Sequence, residues 1–206
     1  MSAKRLAIID DDEAVRQSLL WLLDGQGYRA DGFDSGEAFL ADGCEAEYNG
    51  IILDLRLSGI SGIVLLEKLA GRPYCPPVIM LTAHGDVPHA VAALKLGALD
   101  FIEKPFDDVH LLERAAAAVA LDEQNRQLHG HQRKVSAALA LLTEREREVM
   151  QLILAGKLNK QIAEELSISM KTVEVHRSRV FEKMGVKSAV ELAGMLAAPG
   201  AQGGKL

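Results

Sequence analysis

Leu6-Ala7-Ile8-Ile9-Asp10-Asp11-Asp12 sets four apolar residues directly before three carboxylates. The same arrangement returns along the first half of the chain. Ile51-Ile52-Leu53 runs into Asp54, Val78-Ile79-Met80-Leu81 runs into Thr82, and Asp100-Phe101-Ile102 is followed by Lys104-Pro105. Short, continuously apolar runs suit strands whose two faces are both covered by helices. Tyr28–Phe33 reads as a further strand. Helical spacing fills the gaps: Val15, Leu19, Leu22 and Leu23, stopped by Gly25-Gln26-Gly27; a helix that Ser35 can cap; Ile63, Leu66 and Leu69; Val91, Leu94 and Leu96, ended by Gly97; and a fifth from about Asp107. Five strand–helix units predict an α/β fold, a doubly wound five-stranded parallel sheet with right-handed crossovers. Functional groups of such a sheet gather outside the carboxyl ends of its strands. Asp10, Asp11, Asp12, Asp54, Thr82 and Lys104 all fall there.

Those residues describe one chemistry. Adjacent carboxylates repel unless a cation lies between them, and an all-oxygen ligand set favours Mg²⁺ sharing its sphere with phosphate oxygens. Asp54 would be ligand and nucleophile together. Carboxylate attack on a phosphoryl donor yields an acyl phosphate, with the metal neutralising incoming charge. Lys104 brings a point charge to a phosphoryl oxygen, and the Thr82 hydroxyl can donate a hydrogen bond to another.

Residues 1–120 resemble the receiver domain of bacterial two-component response regulators. Thr82-Ala83-His84-Gly85-Asp86-Val87-Pro88 and Gly97-Ala98-Leu99-Asp100-Phe101-Ile102-Glu103-Lys104-Pro105-Phe106 are most similar to its FixJ branch. The resemblance implies that Asp54 is the phosphoacceptor. It implies that Asp11, Asp54 and the backbone carbonyl of Arg56 hold Mg²⁺, with Asp10 or Asp12 assisting through water. It further implies a cis Lys104–Pro105 bond and a switch made of Thr82 and Phe101. The chain departs from the family where Leu57-Ser58 replaces the usual Met-Pro, which predicts a looser loop with phosphorylation retained. Arg56 and His84 flank the path of an attacking water and are expected to tune the lifetime of the acyl phosphate.

The second half is helical. Leu111, Leu112, Ala115, Ala116 and Val119 give a buried face before the polar Asp122-Glu123-Gln124-Asn125-Arg126-Gln127, and His129-Gly130-His131 is a candidate break. Thr143 and Glu146 form a capping box. Asn159–Leu166 is a short helix with Ile162, Ala163 and Leu166 inward, Ser167-Ile168-Ser169 turns the chain, and Ser169 caps a helix from Met170 to about Met184. Val173, Arg177, Val180 and Met184 share one face of it. Lys171, Glu174, Val175, Ser178 and Glu182 share the opposite one. Val175 there suits a thymine methyl group, and Glu174 can accept from cytosine N4. Lys171, Arg177 and Arg179 can reach phosphates. Residues 140–196 are similar to the LuxR/NarL-type DNA-binding domain, on Leu142-Thr143-Glu144-Arg145-Glu146-Arg147-Glu148-Val149, Asn159-Lys160-Gln161-Ile162-Ala163 and Thr172-Val173-Glu174-Val175-His176-Arg177. That similarity implies a small all-α four-helix helix-turn-helix domain that binds DNA as a dimer. Glu174, Val175 and Ser178 would face base edges, while Lys160, Lys171, Thr172 and Arg179 position the backbone.

Composition agrees with this division. Residues 1–120 hold 10 Lys and Arg against 19 Asp and Glu, and residues 121–206 hold 13 against 10. The acidic half repels nucleic acid and the basic half can approach it. Cys44 and Cys75 lie far apart, which fits neither a disulfide framework nor a zinc site and points to a reducing cytoplasm. No apolar run approaches the ~20 residues of a membrane span. The expected organisation is a receiver at 1–120, a helical linker at 121–139, the helix-turn-helix domain at 140–198 and a flexible tail at 199–206. The expected function is phosphorylation-dependent DNA binding, with a sensor histidine kinase, promoter DNA, a second copy of the chain and RNA polymerase as partners, and no membrane. Two alternatives use the same residues. One is a small phosphatase of the haloacid-dehalogenase type, with Asp10 as nucleophile; Ala14 stands where that family wants Thr or Val, and Asp54 would lack a role. The other is a DNA-binding protein with a phosphorylation-independent receiver, which the intact set of Asp11, Asp54, Thr82 and Lys104 disfavours.

Overall fold

A computed structural model describes residues 4–82 and 87–197. The chain divides into two compact units, Met1–Asn125 and Arg126–Leu206. The first alternates β1 (Arg5–Ile9), α1 (Glu13–Asp24), β2 (Arg29–Phe33), α2 (Gly36–Asp42), a 3₁₀ turn (Glu45–Glu47), β3 (Gly50–Asp54), α3 (Gly62–Ala70), β4 (Val78–Thr82), α4 (Val87–Lys95), β5 (Asp100–Glu103) and the start of α5 (Asp108–Ala140). The five strands are parallel in the order β2-β1-β3-β4-β5, the doubly wound sheet expected.

The period of two along each strand sorts its residues onto two cores. Ala7, Ile9, Ile51, Leu53, Val78 and Met80 pack on one face with Phe39, Tyr48 and Leu65. Leu6, Ile8, Ile52, Ile79 and Leu81 pack on the other with Leu19, Leu23, Leu111 and Ala115. Each buried Val, Leu, Ile, Phe or Met side chain among them contributes about 1.5–3 kcal/mol. β3 and β4 are buried at every position, which explains their unbroken apolar sequence. Asp12, Ser35 and Ser61 cap α1, α2 and α3 through their side chains.

The burial within α4 and the course of α5 differ from a simple reading of the apolar spacing. The helix marked by Val91, Leu94 and Leu96 is present as α4, but Val91 and Leu94 do not form its buried face. They are 45% and 52% exposed, and Ala93 is buried instead. A small residue lets the helix lie close to the sheet, leaving the larger apolar ones outside. Nor does α5 break at His129-Gly130-His131. It runs unbroken from Asp108 to Ala140. Gly130 weakens a helix by about 1 kcal/mol relative to Ala, but further along the helix Val135 is buried, and Ala138 and Leu139 pack against the core of the second unit.

The second unit takes α5 from residue 126, then α6 (Glu144–Leu154), α7 (Asn159–Glu165), α8 (Met170–Met184) and α9 (Ala189–Ala197). Thr143 and Glu146 make the capping box on α6, and Ser169 caps α8. Val149, Ile153, Ile162, Val173, Val180 and Leu192 form the core. Gly185 closes α8 in the left-handed conformation at φ 66°, where glycine carries no steric penalty. The tail expected at 199–206 lies outside the described residues. Trp21, the one tryptophan in the sequence, is 80% exposed on α1. Among the described residues no helix is long and apolar enough to cross a membrane.

Candidate functional site

Parallel register brings the strand ends together. Ile9 lies beside Leu53, Asp54 beside Leu81, and Thr82 beside Glu103. The next residues therefore share one edge: Asp10 and Asp11 after β1, Asp54 closing β3, Thr82 closing β4 and Lys104 after β5.

Carboxylate oxygens of Asp10, Asp11 and Asp54 lie within 4.8 Å of one another. Asp10 and Asp54 are buried and Asp11 is exposed. The Lys104 Nζ donates to Asp10 Oδ2 at 2.6 Å and to Asp54 Oδ2 at 3.1 Å. The Lys104–Pro105 bond is cis, as the family resemblance implied. Burial pushes the Asp54 carboxyl up, opposed by the Lys104 charge and reinforced by Asp10. Burial pulls the Lys104 ammonium down, but its hydrogen bond to Asp10 and the charges of Asp54 and Asp10 outweigh that, so it ends raised. A cation thus already sits among the carboxylates. Three acidic oxygens at this spacing also fit Mg²⁺, whose opposite ligands stand about 4 Å apart.

Thr82 is buried beside the site, and Phe101 packs partly buried against the first core. The Asp54 carboxylate accepts from the Arg56 amide at 3.4 Å, while the Arg56 side chain is exposed. Asp12 is turned away. Its Oδ1 accepts from the Ala14 and Val15 amides at 2.8 and 3.3 Å, which fixes it as the α1 cap and leaves it outside the three-carboxylate group. His84 lies outside the described residues.

Three features had no signal in the sequence. The Ser58 amide donates to Asp11 Oδ2 at 3.0 Å, and the Ile60 amide to Glu37 Oε1 at 2.9 Å. The loop after Asp54 is therefore tied at two points, in a chain whose missing proline predicted a looser loop. Asp122, fully buried, takes hydrogen bonds from Asn49 at 2.7 Å and from the Tyr74 hydroxyl.

In the second unit α8 presents Lys171, Glu174, Val175, Ser178 and Arg179 to solvent, and Lys160 of α7 is exposed as well. Thr172 is half-buried; its hydroxyl lies 2.8 Å from that of Ser169. The Arg177 guanidinium lies 5.5 Å from the centre of the Phe181 ring, half-buried. Val175 is 45% exposed among charges. α8 is pinned at its far end by Lys183, which donates to buried Glu146 at 2.6 Å and to the Leu141 carbonyl at 3.0 Å.

A carboxylate pocket at the carboxyl edge of a doubly wound sheet, followed by a helix-turn-helix, defines a receiver-controlled DNA-binding protein. Residues 6–116 match the response regulator receiver domain, and residues 140–196 match the bacterial regulatory proteins of the luxR family. The chain belongs to the response regulators, as a transcriptional regulator of the receiver-plus-luxR type. It is 47% identical over 190 residues to the C4-dicarboxylate transport transcriptional regulatory protein DctR of Rhodobacter capsulatus, covering 91% of this chain and 96% of that one. It is 40% identical over 195 residues to the transcriptional regulatory protein FixJ of Bradyrhizobium diazoefficiens, covering 92% and 95%. Among solved structures it is similar to the response regulator StyR, with TM-score 0.84 and 37% identity over 95% of this chain and 98% of that one. Full-length FixJ from B. japonicum gives TM-score 0.59 and 38% identity over 95% and 97%. The haloacid-dehalogenase alternative falls with this assignment, since the family is one of transcriptional regulators.

Proposed function

We propose that Asp54 accepts a phosphoryl group from a sensor histidine kinase and that the acyl phosphate switches DNA binding by the second unit. The observation that carries this reading is the convergence of Asp10, Asp11, Asp54 and Lys104 at one sheet edge. An Asp54 carboxylate oxygen bonds to phosphorus as the phosphorus–nitrogen bond to the donor histidine breaks, and the released imidazole is protonated. Asp11, Asp54 and the Arg56 carbonyl hold Mg²⁺, with Asp10 assisting. Bound there, Mg²⁺ neutralises charge on the phosphoryl oxygens. Lys104 exchanges its carboxylate partners for a phosphoryl oxygen. Thr82 follows by donating its hydroxyl, and Phe101 turns into the space that Thr82 leaves. Arg56 and His84 set the lifetime of the acyl phosphate by controlling access of water. This self-modification is the receiver's own chemistry.

The output is a second copy of the chain. Exposed Val91 and Leu94 on α4 support an apolar contact between receivers. Two weakly binding helix-turn-helix units then act as one bivalent binder through their effective concentration. On promoter DNA, Glu174, Val175 and Ser178 read base edges, and Lys160, Lys171, Thr172, Arg177 and Arg179 position the backbone. RNA polymerase is the downstream partner and the cytoplasm the setting.

The test is the solution mass of the full chain with Mg²⁺, before and after beryllofluoride, an acyl-phosphate mimic. Wild type is expected to double its mass and Asp54→Asn to stay unchanged. A wild type that binds beryllofluoride yet keeps its mass would remove dimerisation from the mechanism.

A further inference from the structure

We infer that the backbone amide of Ser58 is a positioning group for the cation site: it holds Asp11 toward Asp10 and Asp54, so that a divalent cation meets a carboxylate already in place. The inference rests on the reading of these three carboxylates as the Mg²⁺ site and adds to it a group that is not itself a ligand. Asp11 is the exposed member of the three. Asp10 is fixed by its buried setting, by Lys104 at 2.6 Å and by the Asp12 amide at 3.0 Å. Asp54 is fixed by Lys104 at 3.1 Å and the Arg56 amide at 3.4 Å. Asp11 Oδ2 accepts from the Ser58 amide at 3.0 Å, across 47 residues of sequence.

Without that bond, repulsion from Asp10 and Asp54 would swing an exposed carboxylate out into water. The amide opposes this with a donor whose partial positive charge faces the carboxylate. It does not consume the ligand. An ionised carboxylate offers about four lone-pair sites, and one amide takes one of them. Hydrogen bonds to ligating carboxylates fix their orientation, and losing one typically lowers metal affinity by about 10–100-fold.

The chemistry depends on what position 58 is. Serine carries a backbone N–H; proline, the residue usual here in the family, carries none. The hydroxyl of Ser58 is not required, so the effect belongs to the backbone. A second tether, Ile60 N–H to Glu37, orders the same loop without touching Asp11 and provides the control.

The experiment is calorimetric titration of the full chain with MgCl₂. Wild type is expected to bind. Ser58→Ala, which keeps the N–H, and Glu37→Gln, which weakens the other tether, should stay within about twofold of it, and Ser58→Pro should bind about tenfold more weakly or worse. Equal binding by Ser58→Pro overturns the inference while leaving the metal site intact. Equal losses in Glu37→Gln and Ser58→Pro also overturn it, by assigning the effect to loop order in general. A wild type that takes up no Mg²⁺ overturns both the site and the inference. Should Ser58→Pro fail to fold, amide hydrogen exchange on wild type decides. The Ser58 N–H is expected to be protected with and without Mg²⁺; exchange at the rate of a free loop amide overturns the inference.

Discussion

A Cβ added at Gly62 would overlap the backbone carbonyl oxygen of Asp54 and come within 3.0 Å of its carbonyl carbon and of the Leu55 Cα. Neither neighbour is a flexible side-chain end, so the end of β3 itself would have to move. Gly62→Ala is expected to destabilise the first unit by about 3 kcal/mol and to lower phosphorylation of Asp54, measured by denaturant unfolding and by phosphoryl uptake. Glu146 makes a second prediction at this scale. Lys183 at 2.6 Å and the Thr143 amide at 2.9 Å hold its carboxyl down from 4.5 to about 2. A folded value below the unfolded one adds stability above pH 4.5, and that stability is lost as the pH falls toward 2. Glu146→Gln is expected to lose about 2 kcal/mol near neutral pH and to differ progressively less from wild type on acidification. Unfolding midpoints across that range check it.

Among the elements, α5 departs furthest from its local sequence pattern. Asp122 opens a run that looked like solvated linker, yet it is fully buried and bonded to Asn49 and Tyr74, 73 and 48 residues away. Sequence distance hid that network, because no local pattern marks an aspartate whose partners are so remote. Asp122→Ala should remove the carboxylate acceptor shared by the half-buried Asn49 amide and Tyr74 hydroxyl and cost about 1–3 kcal/mol, with Tyr74→Phe costing less; thermal unfolding of the first unit measures both. β1, β3 and β4 were legible because each is an apolar run that ends at a charged or hydroxyl residue of the site. Asp10, Asp11, Asp54, Thr82 and Lys104 could be located for the same reason. The faces of α4 were not legible, since a helix docked through Ala93 has only a small side chain to mark its buried face, while the larger Val91 and Leu94 lie exposed. The Ser58 tether was invisible for a deeper reason: its donor is backbone, and a sequence shows only which residues lack one.

For the whole molecule, the division of charge sets how each half meets DNA. Thirteen Lys and Arg fall in residues 121–206, against ten in the longer acidic half. Phosphate contacts release counterions, so Lys171→Ala should weaken binding to all sequences alike and flatten the salt dependence by about one unit of slope. Val175→Ala should instead cost about 1 kcal/mol at one thymine position and leave the salt slope unchanged. Binding isotherms at several salt concentrations, on operators varied at single positions, separate the two.

Trp21 offers a consequence of another kind. It is the chain's sole indole, and it stands 80% open to water on α1. Its emission should therefore sit at the red end of the tryptophan range and be readily quenched by acrylamide. Any macromolecule that settles over that side of α1 would shift the spectrum to the blue and shield it from the quencher. The protein thus carries its own optical gauge of who is docked there, readable in real time and without a label.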